Sequence, residues 1–251
     1  ALYDKQTKIS LAEEKGEGWK RILKTLFHTA SRNGLASLSW IFTNRMLAII
    51  GALFIPLETM ASYGISKQIA DITITLSAAW FFTYYPKLTG EQIRNSVLHV
   101  KRIYIKAQII TVAVFILAVA ATIPFGNQIL GMIGSSTFLL PANLLALLFV
   151  ASLMEALTQL STSVLMSRNE VPHYISQSIT ALVATILLFA SLSLFNGGII
   201  ALIAVPMASQ VAYQHWKWTY KLVKELNIGA IDYLNGLKAV YKSIPVFDND
   251  N

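Results

Sequence analysis

Apolar runs of about 20 residues alternate with short charged or Gly- and Pro-containing segments along most of the chain. A helix rises about 1.5 Å per residue, so a run of about 20 residues crosses the ~30 Å hydrocarbon core of a bilayer. The pattern therefore predicts an all-α membrane protein with six transmembrane helices in one bundle. The predicted spans are 35–57, 61–85, 104–124, 141–165, 173–195 and 198–219.

Prolines mark most of the predicted helix ends. Pro56 ends the first span, and Pro86 ends the second just after a cluster of Trp, Phe and Tyr that is typical of a membrane interface. Pro141 and Pro172 fit the first turns of the fourth and fifth spans. Proline lacks a backbone N–H, and in the first turn of a helix that group has no acceptor within the helix. Pro206 lies inside the sixth span and predicts a kink there.

The charge distribution supports the membrane assignment. Only 13% of the 251 residues are charged and 55% are hydrophobic, whereas soluble domains carry about 25% charged residues. Most charges lie in 1–33, 86–106, 166–172 and 215–251. The charged residues outside these segments are Arg45, Glu58, Lys67, Asp71 and Glu155. Because the net charge of +7 comes from tails and turns, we do not interpret it as a nucleic-acid-binding signal.

The basic residues also predict the orientation in the membrane. The predicted turns at 58–60, 125–140 and 196–197 contain no Lys or Arg, whereas those at 86–103 and 166–172 do. Positively charged loops stay in the cytoplasm. We therefore expect both termini of a multi-pass membrane protein to be cytoplasmic.

Three domain-level segments follow from this topology. Residues 1–33 are predicted to form a cytoplasmic linker, 34–224 the six-helix bundle and 225–251 a cytoplasmic tail. The chain starts with Ala1 rather than Met, and we expect it to be a fragment of a longer protein.

Three polar-flanked segments show the spacing of amphipathic helices that lie on a membrane surface. Residues 19–27 place apolar side chains at helical spacing among Lys and Arg, which favours binding to an anionic leaflet. Thr89 and Gln92 have the spacing of a capping box and predict the start of a second such helix, within 89–100. The third candidate is 231–240. A solvated basic loop is the alternative for each.

Arg45 is the most informative intramembrane charge. An ionised side chain at mid-depth costs on the order of 3 kcal/mol, and Arg45, which follows Asn44, has no acidic residue nearby in the sequence. A guanidinium keeps its charge and forks onto phosphate oxygens, so Arg45 is a candidate site for an anionic head group. The alternative is a structural ion pair with Glu155 or Asp71 on another helix.

The other intramembrane charges have both local and functional interpretations. Lys67 and Asp71 are four residues apart and can pair along their own helix, which would make them purely structural. Glu155 and Gln159, one turn apart, belong to a polar stripe on the fourth span. That stripe predicts either a water-filled path or hydrogen-bonded contacts between helices.

Features of an enzyme are missing from the sequence. There is no Cys, and His28, His99, His173 and His215 fall at or outside the predicted interface without the carboxylate spacing of a metal site. They are expected to be interfacial residues without a special role. No phosphate-binding glycine loop or nucleophile elbow is present. We expect neither catalysis nor a cofactor or metal.

Several short stretches, in order and spacing, carry a resemblance to a known family. They are Asn44-Arg45, ASYGI at 61–65, YYPKL at 84–88, SVLMSRNEVP at 163–172 and FNGGIIALIA at 195–204. Over about residues 34–225 the chain resembles the C-terminal half of Wzx-type polysaccharide flippases. These belong to the superfamily that includes the multidrug and toxic compound extruders.

The resemblance implies two six-helix bundles around a V-shaped cavity. By alternating access, such a protein moves an undecaprenyl-pyrophosphate-linked oligosaccharide across the inner membrane during O-antigen, capsule or exopolysaccharide export. The partners implied are the lipid-linked substrate, membrane lipids, a missing N-terminal half or a second copy, and the polysaccharide polymerase machinery. The substrate-binding candidates are Arg45, Asn44, Lys67 and Gln159, and the ion-coupling candidates are Asp71 and Glu155.

Three other functions remain as alternatives. A cation-coupled multidrug extruder of the same fold would depend on Asp71 or Glu155 rather than on Arg45. A non-transporting membrane scaffold subunit would need neither. An integral glycosyl- or acyltransferase would need a polar catalytic cluster at one interface, and the sequence contains no such cluster.

Overall fold

A computed structural model describes residues 17–168 and 170–242 of the chain, and within them all regular secondary structure is α-helical. The parts of the predicted linker and tail at 1–16 and 243–251 lie outside the described residues. The helices are α1 Glu17–Phe54, α2 Leu57–Ile93, α3 Val97–Met132, α4 Ala142–Met166, α5 Tyr174–Phe195, α6 Gly198–Tyr213, α7 His215–Glu225 and α8 Ala230–Lys242.

Four segments are long and apolar enough to cross a membrane: Leu26–Phe54 of α1, and the whole of α3, α4 and α5. The helix α2 is long enough, but Lys67, Asp71 and many hydroxyl residues make it more polar. The helix α6 is apolar but has only 16 residues, about 24 Å. Membrane crossing by α2 and α6 therefore stays a prediction.

The first helix has no break between its predicted interfacial and spanning parts. The segment 19–27 and the first span belong to one helix, α1, of 38 residues. Gly34, which lies near the predicted boundary between these two parts, is a residue of this continuous helix. Trp19, Leu26 and Phe27 are exposed, as expected for the apolar face of a membrane-surface segment.

The prediction of a new helix at Thr89 is wrong. The helix α2 continues through Pro86, and Thr89 Oγ1 donates a hydrogen bond to a backbone carbonyl one turn earlier. The chain turns only at Asn95, which has a left-handed backbone (φ 55°), and α3 begins at Val97. The predicted interfacial helix within 89–100 is thus the end of one long helix and the start of the next.

The sixth predicted span is also divided. The helix α6 ends at Tyr213, and after Gln214 the amphipathic α7 begins. Trp218 and Leu222 are buried, whereas Trp216 and Tyr220 on the opposite face are exposed. The buried face of α7 packs against α4 and α6, so α7 covers that end of the bundle instead of extending the span.

Helix pairing follows sequence order only in part. The helix α1 packs mainly against α5, α2 packs against α3 and α4, and α5 also packs against α6. Although α1 and α2 are joined by a two-residue turn, they contact each other little. Gly51 and Met60 pack together near this turn, where a Cβ on Gly51 would lie 2.9 Å from Met60. Away from the turn, the two helices diverge.

Two apolar clusters hold the bundle together. The larger contains Leu47, Ile74, Phe115, Phe149, Leu188 and Leu202. The smaller lies at the end of the bundle where α2 ends and α3 begins, and it contains Phe81, Leu88, Tyr104, Leu165, Trp218 and Leu222. The smaller cluster fixes α7 on the bundle, because two of its buried residues belong to that helix.

The predicted amphipathic segment 231–240 is helical and lies within α8, which packs along α3. Lys101 Nζ lies 2.7 Å from Asp232 Oδ2, and the Tyr233 hydroxyl donates to Gln108 Oε1 over 2.7 Å. The hydrogen bond from Lys101 lowers the pKa of Asp232. A Cβ on Gly236 would lie only 2.7 Å from Ile105, so glycine permits the close approach of α8 to α3.

Candidate functional site

A cavity of about 520 Å³ opens between the diverging helices. We call it the polar pocket. Its volume is in the range of small-molecule sites, roughly 300 to 1,000 Å³. It lies between the middle of α1, the C-terminal half of α4, the start of α5 and the end of α6, with Phe82 of α2 also on its wall. Its polar and aromatic lining includes Asn33, Trp40, Phe82, Glu155, Gln159, Gln177, Gln210, Gln214 and His215.

Glu155 links two walls of the polar pocket. Glu155 and Gln159 share one face of α4 because they are four residues apart. Glu155 Oε1 accepts a hydrogen bond of 2.7 Å from Trp40 Nε1 on α1 and lies 3.5 Å from Gln159 Nε2. Since α1 and α4 are not otherwise packed together, this contact bridges the space between them. Among the described residues that line the pocket, Glu155 alone has a carboxyl group.

Amide side chains form the opposite wall. Gln214, in the break between α6 and α7, donates from Nε2 to Gln177 Oε1 over 2.7 Å. Trp218 Nε1 lies 3.2 Å from Gln214 Oε1 and 3.1 Å from Ser176 Oγ. Gln177 keeps its amide hydrogens free of any described partner, so they are available to a ligand.

Two buried histidines line the same pocket. His215 Nδ1 lies 3.0 Å from Thr158 Oγ1, whereas His173 Nδ1 is buried without a described partner. His173 precedes α5 and His215 begins α7, so both lie outside the helices that are long and apolar enough to cross a membrane. Burial lowers the pKa of each to about 4. They are therefore neutral at physiological pH and add no positive charge to the pocket.

A smaller cavity of about 60 Å³ continues the polar lining toward the middle of the bundle. It shares Trp40 and Glu155 with the polar pocket and adds Asn44, Tyr63 and Lys67. The polar surface thus extends from the mouth of the polar pocket to the side chain of Lys67.

The predicted local pairing of Lys67 and Asp71 is confirmed, since the two side chains form a salt bridge within α2. The Lys67 side chain is mostly buried against the small cavity. The Asp71 side chain is 52% exposed on the outer face of α2. Asp71 is not on the wall of either cavity.

Arg45 occupies a different surface from its neighbour Asn44. Successive helical residues point about 100° apart, so Asn44 lines the small cavity while Arg45 is exposed on the outer face of α1. Arg45 forms no hydrogen bond or ion pair with any described residue. The alternative prediction, a structural ion pair of Arg45 with Glu155 or Asp71, is therefore wrong for the described part of the chain.

The bundle brings together four of the six candidate residues. Asn44, Lys67, Glu155 and Gln159 line the two adjacent cavities, whereas Arg45 and Asp71 face outward. The sequence prediction missed several pocket residues: Trp40, Gln177, Gln210, Gln214 and His215. Gln177, Gln210 and Gln214 carry a signal in the sequence, because they are polar residues within or next to apolar runs. They lack the charge that marks most of the predicted site residues.

The described residues contain no cluster of three or more His, Asp or Glu side chains placed to hold a metal ion. Comparisons of the chain with protein-family models, with curated proteins and with solved structures found no match.

Proposed function

We propose that this chain forms one bundle of a membrane transporter that moves a lipid-linked, undecaprenyl-pyrophosphate-type oligosaccharide across the bacterial inner membrane by alternating access. The observation that carries the proposal is the polar pocket, which combines an open mouth with amide side chains and the indole of Trp40. Amides match the donor and acceptor pattern of sugar hydroxyls, and an aromatic ring offers an apolar face to a pyranose ring.

The two faces of α1 fit the two parts of such a substrate. A lipid-linked saccharide keeps its lipid in the bilayer and must place its sugars in a polar environment. Asn44 lies on the cavity side of α1 and Arg45 on the outer side, so the helix carries a sugar-facing amide beside a phosphate-binding cation. A second six-helix half, or a second copy, facing the outer side of α1 would complete the substrate path.

The first experiment tests Arg45 in the full-length transporter. Arg45→Ala is expected to lower export of surface polysaccharide at least about tenfold, since a charge-assisted bond to phosphate contributes about 1.5 to 3 kcal/mol. Arg45→Lys should retain part of the activity. Export is measured by extracting surface polysaccharide, and membrane abundance of each variant by immunoblotting.

Arg102→Ala is the matched control, because Arg102 is an exposed arginine on α3 away from both cavities. Unchanged export by Arg45→Ala at normal abundance would refute the phosphate-binding role of Arg45.

Extrusion of organic cations is the second candidate function. It is favoured by one observation: Glu155 and Trp40 lie together in the polar pocket, whereas Arg45 does not line it. A carboxylate beside an aromatic ring is a suitable site for an organic cation.

Glu155→Gln distinguishes the two functions. Under the extruder hypothesis the substitution should sensitise cells to cationic dyes while export of polysaccharide is unaffected. Under the saccharide hypothesis it should reduce export and leave dye sensitivity unchanged. Dye sensitivity is measured by growth and polysaccharide export by extraction, on the same strains. Glu58→Gln is the control, because Glu58 is exposed and lies outside both cavities.

A further inference from the structure

A second large cavity lies on the outer surface of the bundle, between α5 and α6. It has a volume of about 610 Å³ and runs along α5 from Ile179 to Phe195, about 24 Å. We call it the α5–α6 groove. Small residues on α6, Ala208 and Ala212, are one turn apart and leave the space between the two helices open.

The groove has an apolar interior despite its hydroxyl residues. Thr180 Oγ1 donates to the backbone carbonyl of Ser176 over 2.8 Å, and Ser209 Oγ donates to that of Val205 over 2.8 Å. Hydroxyls bonded to their own helix present mainly carbon to the outside. The groove wall is therefore suited to a hydrocarbon chain and not to a polar solute.

Aromatic residues and a cation surround the end of the groove nearest α7. Tyr213 and Ala212 line this end, and Trp216 Nε1 lies 3.5 Å from the carbonyl of Ala212. Lys217 Nζ lies 3.0 Å from the Tyr213 hydroxyl and 4.3 Å from its ring centroid. Trp, Tyr and Lys together are typical of the level at which lipid head groups lie.

The charge of Lys217 has no carboxylate beside it in the described part of the chain. Lys221, one turn further on, lies 3.8 Å from Glu170 and 3.6 Å from Glu225. The Tyr213 hydroxyl accepts from Lys217 and still has its own hydrogen to donate. Lys217 and Tyr213 together thus present one positive charge and one hydroxyl donor at the end of an apolar groove.

We propose that the α5–α6 groove binds an anionic membrane phospholipid, with one acyl chain in the groove and the phosphate at Lys217 and Tyr213. The occupant follows from the combination of an apolar groove with an uncompensated cation at its end. This site is separate from the polar pocket and does not depend on the proposed transport function.

The test measures lipid binding to the purified full-length protein in detergent by native mass spectrometry. Phosphatidylglycerol and phosphatidylcholine with identical acyl chains are titrated separately. We expect phosphatidylglycerol to bind on the order of fivefold more tightly, the factor that one lysine contributes near an anionic surface. Lys217→Gln should abolish this preference. Lys224→Gln removes the same charge from the same face of α7 two turns away, and should retain the preference.

A second variant tests the acyl-chain part of the site. Ala208 is exposed in the groove, so Ala208→Phe fills it without disturbing the core, and should weaken binding of both lipids several-fold. Ile200→Phe, at an exposed position of α6 outside the groove, is the control and should bind as the parent does.

Three results would overturn the proposal. The first is an unchanged phosphatidylglycerol preference in Lys217→Gln, and the second is unchanged lipid binding in Ala208→Phe. The third is competition by glycerol 3-phosphate at concentrations close to those of the lipid, because the site would then bind a free phosphate without needing a chain. Loss of preference in Lys217→Gln together with weaker binding in Ala208→Phe would support it.

Discussion

Individual polar side chains inside the bundle are almost all hydrogen-bonded. The Tyr104 hydroxyl, for example, lies 2.7 Å from Ser161 Oγ and 2.9 Å from Gln108 Nε2. Unpaired polar atoms in a low-dielectric environment cost about 1 to 3 kcal/mol each, which explains this pairing. His173 Nδ1 is one of the few exceptions among the described side chains. The protonation of His173 is consequently where we expect a pH effect.

His173 makes the folded protein sensitive to acid. Its pKa is about 4 in the folded state, below the usual 6.5, so the unfolded state binds a proton more readily. Stability therefore does not depend on this group well above pH 6.5 and falls as the pH decreases from about 7.5 to 4, by roughly 3 kcal/mol. The measurement is the thermal unfolding midpoint in detergent between pH 7.5 and 4.

The comparison between variants isolates the His173 effect from other titrating groups. His173→Phe retains a ring against Trp218 and should show a smaller decrease in unfolding midpoint over this pH range than the parent protein. Ile175→Phe adds a ring at an exposed position without removing a titratable group and should follow the parent curve. A parent and a His173→Phe protein with the same pH dependence would contradict the prediction.

Whole helices differ in how far the sequence determines their ends. The predicted spans 141–165 and 173–195 correspond to α4 and α5 within one residue, because Pro141, Pro172 and Asn196 interrupt the helical pattern. The start of α1 and the end of α2 differ from the predicted boundaries, since no local stop signal precedes the first span and α2 accommodates Pro86. A span boundary marks a change in polarity, whereas a helix boundary requires a change in backbone conformation.

The docking of α8 on α3 depends on the lack of a side chain at Gly236. Gly236→Leu should separate the two helices, because a Cβ there would lie 2.7 Å from Ile105 and 2.9 Å from Ile109. Amide hydrogen exchange of α8, measured by mass spectrometry, should become about tenfold faster or more.

The matched control is Ala239→Leu, at an exposed position of α8, which should leave hydrogen exchange unchanged. Equal protection of α8 in the parent and Gly236→Leu proteins would contradict the prediction and show that the polar contacts of Asp232 and Tyr233 are sufficient for docking.

At the scale of the whole molecule, the number of membrane crossings can be tested directly. The chain has no Cys, so each introduced cysteine is the only site for a membrane-impermeant maleimide. Six crossings predict that Leu57→Cys and Asn95→Cys, at the two ends of α2, react from opposite sides. They also predict that Ser135→Cys and Asn196→Cys react from the same side as Leu57→Cys.

Labelling of cells and of inverted vesicles distinguishes the two sides. If Leu57→Cys and Asn95→Cys reacted from the same side, α2 would not cross the membrane and the six-span topology would be wrong. If every introduced cysteine reacted from the side opposite to the predicted one, the six crossings would be retained and the predicted orientation would be inverted.

The sequence alone determined the helical content, the apolar surface and the pairing of Lys67 with Asp71. These features depend on residues within one or two turns of each other. Tertiary structure alone decided which distant groups meet, such as Trp40 with Glu155 or Gln177 with Gln214. It also decided that α1 packs on α5 and that Arg45 faces outward beside an inward Asn44. Such contacts are set by the packing of whole helices, which sums many weak interactions between residues far apart in the chain.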